Sequence, residues 1–318
     1  MVPEKKLYNA ENCRICNSSF SKEYTLKERM FGFKDEFRYQ ECSFCGCLQI
    51  AELPENITKY YPPYYYAYAQ KIPDLKKLPL LKRLFKSIRL QKKYKKNVYP
   101  LNYLKPINTG INDRILDVGC GKGLLICQLF NQGFKNVEGV DKFIPHEFNH
   151  GYGVKVRKKD LTELKPRFYD LIMMHHVLEH MDQQKEALAD CHNLLKDGGC
   201  LMIRIPLIGE AWKLYQEDWV QLDAPRHFFL HSLKSLQILA EDSGFEIRHT
   251  VFDSTGFQFW GSELYKKDIP LFSAEDDFKL ISPEKVFDPN ELKTYEREAE
   301  QLNIDCKGDS AAFYLYKK

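Results

Sequence analysis

The 318-residue sequence has no apolar run of transmembrane length, so a helical membrane-spanning protein is not expected. Its first residues, Met1-Val2-Pro3-Glu4-Lys5-Lys6, lack the apolar centre of a secretory signal. The expected location is therefore cytoplasmic, either free or peripheral at the inner membrane face. Net charge is also small, a formal +3, but the basic residues are unevenly spread. Only three tryptophans are present, against 21 phenylalanines and 19 tyrosines. The composition is otherwise that of an ordinary globular chain, long enough for one large domain or two modest ones.

Cysteine is the exception to this evenness. Five of the ten cysteines fall in the first fifty residues, and the rest are scattered through apolar segments. In a reducing compartment such crowding points to metal, not disulfides. Cys13-Arg14-Ile15-Cys16 and Cys42-Ser43-Phe44-Cys45 form two C-x-x-C knuckles at the separation of a zinc ribbon. Each knuckle supplies two thiolates from one tight turn, and Gly46 suits the second turn. Cys13, Cys16, Cys42 and Cys45 are the expected ligands of one structural Zn²⁺. Cys47 is a spare that the spacing disfavours. Phe31-Gly32-Phe33 and Glu36–Cys42 alternate as strands do. Residues 1–58 make a module too short for a core of its own, so metal is expected to hold it together. Unliganded structural cysteines are the alternative. A redox C-x-x-C lacks the βαβ context it needs.

Residues 59–110 form a connecting region. Tyr60-Tyr61-Pro62-Pro63-Tyr64-Tyr65-Tyr66-Ala67-Tyr68 is stiffened by proline and reads either as a packed aromatic linker or as a lid over a ligand. From Lys76 to Lys96 there is no acidic residue. Leu80, Leu81, Leu84, Phe85 and Ile88 recur at helical spacing, which predicts a basic amphipathic helix. Three roles stay open for residues 76–96: packing on the protein itself, an anionic membrane surface, and an anionic substrate. Nucleic acid is disfavoured, because Phe85, on the apolar face, is the sole aromatic among the basic residues before Tyr94.

The centre of the chain is Arg114-Ile115-Leu116-Asp117-Val118-Gly119-Cys120-Gly121-Lys122-Gly123, a strand, a glycine turn and then a helix from Leu124. A phosphate-binding P-loop needs Ser or Thr after Lys122, and Gly123 stands there. The dinucleotide fingerprint is G-x-G-x-x-G, and this spacing is one residue short. Val137–Asp141 reads as a second strand ending in an acid, which can accept ribose hydroxyls. Further strands are expected at 154–157, 169–174, 200–205, 245–249 and 311–316. Helices are expected at 185–195, capped by Lys196-Asp197-Gly198-Gly199, and at 232–243. This alternation predicts an α/β protein with a parallel sheet.

D-V-G-C-G-K-G, G-V-D, H-H-V-L-E-H (residues 175–180) and L-L-K-D-G-G (194–199) together resemble class I S-adenosylmethionine (SAM) methyltransferases, from about Ile111 to the C-terminus. The resemblance implies a Rossmann-like seven-stranded sheet with its last strand antiparallel, over 111–318, with an insertion at about 252–309. It implies SAM as cofactor, with Asp117, Gly119, Cys120, Gly121, Gly123, Asp141, Asp160, Leu161 and His175 as its contacts. The zinc-ribbon front end, the tyrosine-proline stretch and Asp223-Ala224-Pro225-Arg226-His227 are similar to methyltransferases of bacterial surface-polysaccharide and sugar-modification pathways. That narrower likeness implies O-methylation of a sugar, nucleotide sugar or lipid-linked saccharide. A small-metabolite methyltransferase and a non-catalytic binding module of the same fold are the alternatives.

His176-Val177-Leu178-Glu179-His180 also spells H-x-x-E-H, an inverted zinc-protease motif. It follows a strand here and completes the methyltransferase pattern, which argues against a protease. For the acceptor, His227 and then His180 are the candidate bases. Arg226 is the candidate holder of an anionic substrate group.

Overall fold

The structure is a computed structural model that describes residues 11–62, 64–65, 71–76, 94, 99–166, 168–273 and 278–318. Pro63, Tyr66, Ala67, Tyr68 and the expected basic helix, apart from Lys76 and Tyr94, lie outside the described residues.

The N-terminal module is a small antiparallel sheet of β1 (Phe20–Lys27), β2 (Glu36–Cys42) and β3 (Leu48–Ile50). β1 alternates, with Leu26 buried and its neighbours exposed, as a strand with one covered face should. Phe31-Gly32-Phe33 is not a strand: Glu28 accepts the N–H groups of Phe31 and Phe33 at 3.1 and 2.9 Å and closes a turn there.

The remaining chain builds an eight-stranded sheet. Its strands are β4 (Arg114–Val118), β5 (Asn136–Val140), β6 (Phe148–Gly151), β7 (Val154–Arg157), β8 (Tyr169–His175) and β9 (Leu195–Pro206). A further strand, β10 (Phe229–Leu230), belongs elsewhere, and β11 (Phe245–Phe252) and β12 (Ser310–Lys317) complete the large sheet. Its order is β11-β12-β9-β8-β4-β5-β7-β6. Pairing is parallel from β9 through β7, and β12 runs antiparallel between β9 and β11. The fold is the Rossmann-like methyltransferase sheet, with one strand more than expected. The extra strand is the edge strand β6, hairpinned onto β7 through Gly151 and Gly153, both at positive φ.

Ile115, Leu116, Ile172 and Met174 are fully buried, because helices cover both faces of the parallel centre. The helices are α1 (Leu101–Leu104), α2 (Leu124–Gln132), α3 (Gln184–Leu194), α4 (Glu210–Tyr215), α5 (Leu233–Asp242), α6 (Phe257–Lys266) and α7 (Pro289–Ile304). The turn expected to cap α3 is instead part of β9: Leu195 pairs with Tyr169, then the register jumps so that Cys200 pairs with Leu171. α6 and α7 are the helices of the expected insertion.

β10 is the strand that joins the two sheets. It pairs antiparallel with β3, Phe229 opposite Gln49 and Leu230 opposite Leu48. Ser232 caps α5 by accepting the N–H of Ser235 at 3.0 Å and donates to the carbonyl of Cys45 at 2.5 Å. The cysteine module and the large sheet consequently share one apolar core, from Cys13 and Leu48 through Leu207 and Phe229 to Leu116.

Candidate functional site

Strand order reverses about β4, which has β8 on one side and β5 on the other. The carboxyl ends of these strands make the crevice in which open α/β sheets bind ligands. Asp117 lies on β4, and Gly119, Gly121 and Gly123 follow it, all at positive φ. Side chains have no room there. A Cβ on Gly119 would come within 2.6 Å of Val177, and one on Gly123 within 2.6 Å of Val156. Asp141, after β5, accepts the N–H of Gly121 at 2.9 Å and that of Phe143 at 2.8 Å. It holds the turn against the second strand.

Asp117 is buried and has no cationic partner among the described residues. Burial, with the negative Asp141 nearby, pushes its carboxyl up to about 8. A carboxylate in that state is stabilised by an arriving cation. Cys120 packs against Gly139, and burial followed by the two acids raises its thiol well above the usual range, so it is an unreactive packing group. His175 ends β8. Its ring meets Tyr103 edge-on at 5.0 Å, and its Nε2 is buried without a partner among the described residues. Burial, then the Arg204 charge, lowers it to about 3, so it is neutral. Asp160 sits 3.0 Å from Lys142, next to Asp141, and its own N–H donates to Glu163 at 2.9 Å. The Leu161 side chain is in the core. A cationic amino acid joined to an adenosine therefore meets a buried acid, a bare glycine turn and strand-terminal acids, and the residues present fit SAM.

The loop after β8 presses on the glycine turn through Val177. Beyond it the H-x-x-E-H residues separate. His176 donates from Nδ1 to Glu179 Oε1 at 3.1 Å, and its Nε2 contacts Arg204. Arg204 donates to Asp253 at 2.5 Å, and Tyr103 donates to the same carboxylate oxygen at 2.6 Å. The parts played by Arg204, Asp253 and Tyr103 were not foreseen. The available signal was Arg204 itself, a lone charge in the apolar run Cys200–Pro206. His180 turns the other way. Its ring lies 4.7 Å from that of His227, its Nδ1 is 2.8 Å from the Arg226 carbonyl, and Tyr61 Oη is 3.2 Å from the same nitrogen. His227 is nearly buried, with Nδ1 2.8 Å from the Gln221 carbonyl. Burial first and His227 second lower the His180 pKa. Tyr61 thus places the described part of the tyrosine stretch against His180, while Tyr64 and Tyr65 pack on Phe31.

Arg226 does not face a substrate. It is fully buried and hydrogen-bonded to Asp223 at 2.6 Å, Glu28 at 2.9 Å and the Tyr60 carbonyl at 3.1 Å. The expectation that it holds an anionic group is corrected: its charge is already matched by two carboxylates, and it ties the cysteine module to the 219–227 segment.

Sγ atoms of Cys13, Cys16, Cys42 and Cys45 lie within 4.8 Å of one another. Backbone N–H groups of Ile15, Phe44 and Cys45 point at Cys13 and Cys42 sulfurs at 3.4 Å, and Gln49 Nε2 donates to Cys13 at 2.8 Å. Such donors stabilise thiolates, and the hydrogen bond from Cys45, acting against burial, lowers Cys13 to about 5. Cys47 is buried outside this group. No helix of the described residues is long and apolar enough to cross a membrane.

Fold, glycine turn and strand-end acids define a class I SAM-dependent methyltransferase domain. The chain belongs to the family described as "Methyltransferase domain", whose model matches residues 69–250, more than half of the sequence. It is 32% identical over 114 residues to a Ubiquinone biosynthesis O-methyltransferase of Nitrosomonas europaea, covering 32% of this chain and 48% of that protein. It is 24% identical over 178 residues to a protein of the same name from Bradyrhizobium, covering 48% and 67%. The chain spans about half the length of most such relatives it matches. Among solved structures, a SAM dependent methyltransferase from Archaeoglobus fulgidus superposes with a TM-score of 0.41 at 21% identity, covering 75% of this chain and 98% of that one. A phosphoethanolamine-type N-methyltransferase from Haemonchus contortus gives 0.40 at 18%, covering 73% and 57%.

Proposed function

We propose that this protein transfers a methyl group from SAM to a hydroxyl of a small or glycan-type acceptor. The observation that carries this reading is Asp117, a buried carboxyl group with no cationic partner among the described residues, beside a turn in which Gly119 and Gly123 have no room for a side chain. SAM, when bound, supplies an activated methyl group. Asp117 neutralises the cationic amino-acid end, the glycine turn lets the backbone approach, and Asp141 accepts from the ribose hydroxyls. Asp160, the Leu161 backbone and His175 complete the cofactor crevice in this reading.

The acceptor hydroxyl must be held close and must lose a proton. Glu179 and His180 follow Val177, whose side chain packs at Gly119, and the His227 ring lies 4.7 Å from that of His180; the acceptor proton is taken there. His180 is the more accessible of the two rings and His227 the more buried. The names of the relatives, which specify O-methylation in ubiquinone biosynthesis, support oxygen as the acceptor atom and a small-molecule acceptor. The order of zinc ribbon, tyrosine-proline stretch and D-A-P-R-H supports a saccharide. Cys13, Cys16, Cys42 and Cys45 hold a structural zinc in the 1–58 module, residues 59–110 connect it, and 111–318 carry the transfer. The inner membrane face and residues 76–96 belong to this proposal only for a lipid-linked acceptor.

The test is calorimetric titration with SAM, followed by transfer of labelled methyl from SAM to nucleotide sugars, lipid-linked sugars and small hydroxylated metabolites. Binding of SAM with label entering one of these classes supports the reading and names the class. Absence of SAM binding overturns it.

A further inference from the structure

We infer that Glu179, His180 and His227 form a second metal site, one that takes a divalent transition-metal ion and leaves it open to a further ligand. One donor atom from each of the three residues lies within 4.8 Å of the others. Each histidine has Nδ1 turned to a backbone carbonyl, Arg226 for His180 and Gln221 for His227, both at 2.8 Å. A carbonyl can only accept, so Nδ1 carries the proton and Nε2 keeps the lone pair; the Nε2 of His227 lies 3.7 Å from Asp223 Oδ2, beyond hydrogen-bond reach. That is the arrangement by which proteins fix a histidine as a metal ligand.

The carboxylate supplies an independent observation. Glu179 is 1% exposed; its Oε1 accepts from His176, but its Oε2 is buried with no partner among the described residues. Leaving a carboxylate oxygen unpaired at that depth is unfavourable, and a cation satisfies it. The nearby Arg226 charge does not oppose this, because Asp223 and Glu28 compensate it. His180 is only partly buried, which provides an entry path.

Two imidazoles and one carboxylate suit zinc, iron(II) or cobalt(II), whereas Mg²⁺ and Ca²⁺ favour oxygen donors. Three protein ligands leave coordination positions open, as in catalytic sites and unlike the closed four-thiolate centre. The binding site itself stands without the methyl-transfer reading. Its role rests on that reading: the ion would take the acceptor oxygen and lower the pKa of its hydroxyl.

Co²⁺ titrated into the zinc-loaded full chain tests the site. The expected result is about one further equivalent of bound metal with d–d absorption and no thiolate charge-transfer band, as nitrogen and oxygen donors require. His180→Ala and Glu179→Gln should each weaken that binding by more than about 100-fold, beyond the roughly 10–100-fold typical for loss of an outer partner. Thermal unfolding checks that the variants are folded, and Glu179→Gln, nearly isosteric, stands if His180→Ala is not. No Co²⁺ uptake beyond the zinc centre, or uptake unaltered in the folded variants, overturns the site. Co²⁺ uptake in a protein that does not bind SAM would leave the metal site standing and remove the methyl-transfer reading alone.

Discussion

Arg226 and Glu28 are 198 residues apart in sequence, yet they form an ion pair at 2.9 Å with neither side chain exposed. Glu28 also closes the β1–β2 turn, and Arg226 also holds Asp223 and the Tyr60 carbonyl. Removing one partner leaves the other charged and buried. Arg226→Ala should therefore destabilise the fold by about 3–5 kcal/mol. Denaturant unfolding checks this. Near-wild-type stability together with a raised KM for an anionic acceptor would restore the substrate-holding role that the geometry denies.

A second prediction concerns the ribose end of the cofactor crevice. Asp141→Ala should weaken SAM binding by about 1.5–3 kcal/mol, the worth of a hydrogen bond to a charged group. Two contributions enter, because Asp141 also anchors the N–H of Gly121. Asp141→Asn keeps the acceptor oxygen and should lose less. Calorimetry on both variants separates the charge from the anchoring, and equal SAM affinity across all three proteins would refute the assignment.

Asp117 gives a pH dependence with a definite sign. Its folded pKa of about 8 lies above the ordinary 3.8. As pH rises through that window the unfolded chain ionises this group and the folded chain does not, so its contribution to stability falls. A cationic ligand acts in the opposite sense by favouring the carboxylate. SAM binding near neutral pH should release a proton, and affinity should climb with pH until it levels off near 8. Titration in buffers of different ionisation enthalpy measures the release. Asp117→Asn should abolish it, and proton-neutral binding by the parent protein would sink the proposed contact.

Zinc removal should be felt beyond the cysteine module. Metal analysis should give about one zinc per chain at the four-thiolate centre. Cys16→Ser should loosen the module, and because β3 pairs with β10 and Cys45 accepts from Ser232, it should also loosen the start of α5. Hydrogen exchange at Phe229, Leu230 and Ser235 reads this directly. Unchanged protection at those amides in zinc-free protein would show that the module unfolds alone.

The glycine turn, both strand-end acids and the order of strands and helices were legible in the sequence because each rests on local chemistry. Asp117 needs only its own strand, and Gly119 and Gly123 need only their own φ angles. What was not legible depends on distant partners. β10 is two residues long and exists because β3 lies beside it. β6 has no alternation and follows from a hairpin at Gly151. Arg226 next to His227 reads as a charge holder beside a base until Glu28 is found 198 residues away. Likewise, the H-x-x-E-H spelling pairs His176 with Glu179, but it does not reveal that His180 faces His227 across a loop.

The His180–His227 pair carries the last prediction. His180 follows Val177, the residue that touches the glycine turn, and its ring meets that of His227 at 4.7 Å; both have Nδ1 engaged, so only Nε2 can act on an acceptor, directly or through a bound ion. If the acceptor proton leaves through this pair, His180→Ala and His227→Ala should each lower turnover by roughly 10²–10⁴-fold. SAM affinity should barely move in either variant, since Asp117 and Asp141 lie across the turn. The two rings differ in what else they hold. His227 is the more buried and takes Tyr39 on its carbonyl at 2.8 Å, whereas His180 is partly exposed. His227→Ala should therefore also lose stability to the cavity it leaves, and His180→Ala should remain close to wild type. A double variant that loses no more turnover than either single one would mark the rings as one functional unit. Near-normal turnover by both single variants on the true acceptor would remove the pair from the chemistry and move attention to His176, which Arg204 and Glu179 hold on the same loop.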